Sequence, residues 1–126
     1  VRTTRPMQYR HIIIPTSALS AINSLPKPSP FDLIAKLWAD AVIRLALFQK
    51  TTMIDRALAE DLSRIFGIDV KEVPETVGEI GGFVRDHIVS RLERERLEDA
   101  IASVQGITRS LNCLIVSMAQ TFDGPQ

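Results

Sequence analysis

Leu97-Glu-Asp-Ala-Ile101-Ala-Ser-Val104-Gln-Gly-Ile-Thr108-Arg-Ser-Leu111-Asn-Cys-Leu-Ile115-Val-Ser-Met118-Ala-Gln-Thr-Phe122 is the stretch that decides the fold. Its apolar members, with Thr108 among them, alternate spacings of four and three without a slip. That is the a/d repeat of a helix that packs lengthwise against another helix. Ile107 and Leu114 widen the seam, and Thr108 stands polar within it, as register-setting residues do. Both features favour assembly through Leu97, Ile101, Val104, Leu111, Ile115 and Met118. The competing expectation is that an apolar helix of the same chain covers the seam.

Around that helix, the length of 126 residues fits one domain, above the size at which a core needs disulfides or metals. A net charge of zero argues against a dedicated nucleic-acid or anionic-membrane binder. The zero hides an asymmetry. Residues 1–30 hold Arg2, Arg5, Arg10 and Lys27 and no acid, a charge of +4; the other 11 basic residues face all 15 acids, a charge of −4. A basic arm on an acidic body can fold back on it or reach an acidic partner, with Arg5 and Arg10 as contact candidates.

Cys113 is the only cysteine, so an intrachain disulfide is ruled out, and its apolar helical surroundings read as those of a buried, inert thiol. This usage fits a reducing, cytoplasmic compartment. No apolar run approaches the ~18 residues of a membrane span. The basic start does not read as a secretory signal, because Pro15 interrupts its apolar run, Ile12–Ile14.

Five prolines up to Pro30 exclude a long helix from residues 1–30, which read as an extended arm with one helical turn at Thr16–Asn23. Ser29, Pro30 and Asp32 then form a helix start. Phe31, Ile34, Leu37, Trp38, Ala41, Val42, Leu45 and Phe48 make one wide stripe, and Leu33, Ile43 and Leu47 extend it around a central helix that runs to about Lys50. Thr52 with Asp55 opens a second helix that Gly67 stops. Asp69 caps one short turn, and Thr76 with Glu79 opens a third helix. Gly78, Gly81 and Gly82 there predict close backbone packing or a bend. The charged segment Arg91–Arg96 predicts the i,i+4 pairs Arg91–Glu95 and Arg94–Glu98. The apolar phase slips by one residue between Leu92 and Leu97, so the helix changes its packing partner there or breaks near Gly106. Gly124-Pro125 ends the last helix.

Chemistry finds little purchase in this pattern. His11 and His87 have no second ligand at metal spacing, and the acid pairs Glu60-Asp61 and Glu98-Asp99 point apart on their helices. Gly78-Glu-Ile-Gly-Gly82 lacks the Lys-Ser/Thr of a phosphate loop. Leu58–Val73 reads as a helix-turn-helix only if Asp69–Val73 is a helix, and that piece is short and offers Asp69 and Glu72 where base edges need Arg, Asn or Gln. Phe66-Gly-Ile-Asp-Val-Lys-Glu-Val73, followed by Glu79-Ile-Gly81, slightly resembles the first helix and loop of acyl or peptidyl carrier domains. Those domains attach phosphopantetheine to a serine in Asp-Ser-Leu. Here the equivalent stretch is Gly82-Phe83-Val84-Arg85, without a serine, so the resemblance implies no such attachment.

The expectation is therefore an all-α chain: an antiparallel bundle of about four helices over 31–122, preceded by an irregular basic arm over 1–30. Its expected role is that of a non-enzymatic, cytoplasmic protein-protein interaction module, an assembly subunit or a partner-sequestering regulator. It needs no cofactor, no metal and no membrane, and its partner is another protein or a second copy in a homo-oligomer. One alternative is a transcriptional or nucleic-acid-associated regulator that reaches its target through the arm. Another is a small-molecule site or an enzyme with a cavity near Trp38 and His87.

Overall fold

The computed structural model describes residues 11–24 and 30–123. It is all-α, with five helices among those residues: α1 (Thr16–Ser24), α2 (Phe31–Phe48), α3 (Arg56–Phe66), α4 and α5 (Leu97–Asp123). α4 begins as Ile80–Phe83, continues through the wider π-wound turn Val84–Val89 and closes as Ser90–Leu92. Two single 3₁₀ turns, Val70–Glu72 and Val77–Glu79, join α3 to α4. One antiparallel bridge, Met53 to Thr76, is the whole of the β-pairing among the described residues. Arg5, Arg10, Ser29 and Gly124-Pro125 lie outside the described residues, as does the side chain of Phe122.

α2 is the hub, touching α1, α4 and α5. Ala and aliphatic residues on several sides of it allow this: Ile34, Trp38, Ala41, Val42, Leu45 and Ala46 are all fully buried. Pro30 precedes its first turn, and Asp32, expected to close a capping box, instead accepts from Arg85 Nη1 of α4 at 2.7 Å. At its other end Lys50 takes a left-handed φ of +58°. Lys50 N–H then donates to Leu47 O (2.9 Å) and Thr51 N–H to Ala46 O (3.4 Å), the two bonds of a Schellman stop with lysine in the usual glycine place.

The caps of the shorter elements follow side-chain chemistry. Asp55, not Thr52, caps α3 by accepting from Leu58 N–H at 2.8 Å. Gly67, at φ +70°, stops it as expected. Asp69 accepts from Lys71 N–H (3.0 Å) and starts the first 3₁₀ turn. In α4, Ser90 N–H reaches Arg85 O, one residue beyond α register, while Ser90 Oγ donates to Asp86 O at 2.5 Å. The wider turn lets the pairs Phe83–Val84 and Ile88–Val89 all face the core.

Around α4 two features depart from expectation. A Cβ built on Gly81 or Gly82 meets nothing within 4 Å, and the one on Gly78 reaches only Thr76 Oγ1 at 4.0 Å, so close packing, one of the two roles expected of these glycines, is not theirs. The pairs Arg91–Glu95 and Arg94–Glu98 are not formed, because α4 ends at Leu92 and i,i+4 proximity needs an unbroken helix. Arg96 pairs with Glu98 instead, at 2.6 Å. The phase slip is thus a break between Leu92 and Leu97, and α5 runs straight through Gly106.

The arm expected over 1–30 is not separate from the domain in its second half. Ile12, Ala18 and Ile22 are buried, Ile12 and Ile22 in the same core as α2 and α5. Asn112 of α5 clips the extended segment ahead of α1: Ile12 N–H donates to Asn112 Oδ1 (2.7 Å) and Asn112 Nδ2 donates to Ile12 O (3.3 Å). A single carboxamide thereby does for this backbone what a neighbouring strand would do. The division expected at Pro30 gives way to a core that extends back to Ile12.

Candidate functional site

α5 carries the residues expected to form an interface, and the structure turns their centre inward. Val104, Leu111 and Ile115 are fully buried within the single chain, in the core that α2 dominates. Leu97, Ile101 and Met118 are half-buried and packed against that core. For Val104, Leu111 and Ile115 the competing expectation holds, since α2, apolar around most of its circumference, covers them within the chain; Leu97, Ile101 and Met118 keep part of their surface exposed. Thr108, too, has an internal task, since its Oγ1 accepts from Trp38 Nε1 at 3.0 Å.

Of the two residues expected to border a cavity, Trp38 is fully buried in the core and His87 is exposed. Rings step outward from Trp38 to Phe66 (6.0 Å), Phe83 (6.2 Å) and the exposed His87 (5.3 Å). Around His87, Glu72, Glu75, Glu79 and Asp86 line a shallow acidic cleft, and among the described residues no group of three or more His, Cys, Asp or Glu could hold a metal. No helix among them is long and apolar enough to cross a membrane.

The outer side of α5 is different. Between α3 and α5 runs an open groove of about 680 Å³. Arg64 enters it from α3, Arg91 from the last turn of α4 and Arg109 from α5. Its α5 wall is Ser103, Gly106, Ser110 and Cys113, and its apolar part is Ile65, Phe66, Ile107 and Leu114. No carboxylate is among the lining residues. Asp61 pairs with Arg64 at 3.1 Å and Glu95 accepts from Ser103 Oγ at 3.3 Å. Arg91 Nη1 donates to Gly67 O over a long 3.4 Å, and the Arg109 guanidinium has no hydrogen-bond or ion-pair partner among the described residues.

Cys113 is exposed, not buried. It lies two residues from Leu111, about 200° around the helix, so the packing that hides Leu111 turns Cys113 out. It borders this groove and also a second, more apolar hollow lined by His11, Arg109, Asn112, Val116, Ser117 and Gln120. Sequence inspection passes over the groove because Arg64, Arg91 and Arg109 are far apart in the chain. The one legible trace is the 3-4-3 spacing of Ser103, Gly106, Ser110 and Cys113, beside the apolar seam.

No protein-family model, curated protein or solved structure matches this chain.

Proposed function

We propose that this protein is a non-enzymatic helical interaction module, an assembly subunit or a regulator that sequesters a protein partner. The supporting observation is the open groove between α3 and α5, which combines an apolar stretch, a wall of small side chains and three arginines. Such a surface matches the usual anatomy of interfaces, in which an apolar centre is rimmed by polar groups and arginine is enriched. In this reading α2 to α5 act as an antiparallel four-helix framework that holds the groove rigid, in a reducing, cytoplasmic setting. The basic arm, Arg5 and Arg10 included, adds long-range attraction toward the same partner.

Cys113 provides the test, being the sole cysteine, exposed and at the groove's edge. A photo-crosslinker on Cys113 should join the protein to a discrete protein species in extracts of the cells it comes from. Excess unlabelled protein should compete that product away. The same label on a Cys113→Ser/Glu60→Cys variant, on the exposed outer side of α3, should not yield it. Identical products at the two positions, or none, would remove the interaction reading. Light scattering of the purified chain separates a second copy from a different partner.

A further inference from the structure

We infer that the groove between α3 and α5 receives an acidic amphipathic helix from its partner, an inference that rests on the interaction reading above. Charge is the first argument. Residues 31–126 carry four more acids than bases, yet Arg64, Arg91 and Arg109 come from three separate elements to one groove whose lining has no acid. Three guanidiniums at one site repel one another and are relieved by carboxylates, which each can grip through two parallel hydrogen bonds. Their existing commitments are weak. Arg64 is held by Asp61 in a solvent-exposed pair, and such pairs contribute little. Arg91 has its long bond to Gly67 O, and the Arg109 guanidinium has no partner among the described residues.

Shape is the second argument. The wall Ser103, Gly106, Ser110 repeats at helical spacing along α5. The Cβ that Gly106 lacks would meet nothing within 4 Å, so space stands open above it. Small residues at this spacing let a second helix approach backbone to backbone, with its apolar ridge over Ile107 and Leu114. A nucleic-acid strand fits the same site poorly. Strand-binding grooves present exposed aromatic faces for base stacking, and the one aromatic ring here, Phe66, is only 1% exposed.

The test uses the full chain and a fluorescein-labelled synthetic helix of about 18 residues, roughly 27 Å long, with Leu at heptad a and d positions and Glu on the flanks. Its Lys-flanked counterpart is the control. In anisotropy titrations the Glu helix should bind saturably, and the Lys helix at least about tenfold more weakly. Arg109→Glu should weaken the Glu helix by about tenfold or more with unchanged circular dichroism, and Arg109→Gln by less. Arg56→Glu, on an exposed arginine outside the groove, should leave it unaltered. Equal binding of the Lys helix, no saturation, or displacement by a DNA oligonucleotide of the same charge that binds more tightly would overturn the acidic-helix occupant. A partner crosslinked at Cys113 alongside a peptide that fails to bind would leave the interaction module standing and discard only its acidic ligand.

Discussion

Trp38 shows how much a single side chain can organise. Its ring is fully buried, stacks at a tilt on Phe66 and donates its indole N–H to Thr108 Oγ1. Trp38→Ala should therefore cost about 3–5 kcal/mol in urea unfolding. Thr108→Val keeps the shape but leaves a buried N–H without its acceptor, and should cost about 1–3 kcal/mol. A value for Thr108→Val near zero would show that the bond does not set the register of α2 on α5. Lys50 is the opposite case, a residue at odds with its backbone. A non-glycine residue in the left-handed region costs roughly 1–2 kcal/mol, so Lys50→Gly should raise stability by about 1 kcal/mol, read as a higher urea midpoint at unchanged slope. Trp38's burial was legible from its place in the stripe Ile34, Trp38, Val42, Leu45. The positive φ of Lys50 was not, since lysine has no preference for that region and only the two Schellman bonds hold it there.

At the level of elements, α5 explains why a regular seam is half hidden and half not. Among the described residues it buries Ala100, Val104, Ile107, Leu111, Ile115 and Ala119. That row shares Val104, Leu111 and Ile115 with the heptad seam, takes Ile107 in place of Thr108, and slips by one residue toward each end, from Ile101 to Ala100 and from Met118 to Ala119. A straight helix drifts by ~20° per heptad against a 3.5-residue repeat, and the slip has that sense at both ends. The spacing alone thus revealed a packed helix, whereas which residues end fully covered depended on how α5 packs against the rest of the chain. Glycine in α4 and α5 is a second case. Gly82 and Gly106 sit in helices with open space where a Cβ would be, so Gly82→Ala and Gly106→Ala should each stabilise by about 0.5–1 kcal/mol. Thermal unfolding of the two variants measures this; a loss of stability at Gly82 would mean that the π-wound turn behind it needs glycine's freedom.

Across the whole molecule, the core draws on distant parts of the chain, and two experiments follow. Deleting residues 1–24 removes buried Ile12 and Ile22, each contributing about 1.5–3 kcal/mol, together with the Asn112 clip; it should lower the melting temperature sharply or unfold the domain. A deletion that leaves the melting temperature unchanged would restore Pro30 as the boundary. Leu111→Glu with Ile115→Glu places two carboxylates in the core and should abolish helical circular dichroism, not merely release a monomer from an oligomer. By itself the sequence determined the helical class, the central place of Phe31–Phe48, the stop at Gly67, the turn opened by Asp69, and one face of α5 as buried. Each of these follows from periodicity, propensity or a capping side chain, interactions between residues a few positions apart. Only the tertiary structure decided what lies over that face, where Ile12 docks and which arginines share a groove. Those outcomes join residues such as Ile12 with Asn112, or Arg64 with Arg109, whose proximity no local spacing encodes and only the packing around α2 creates.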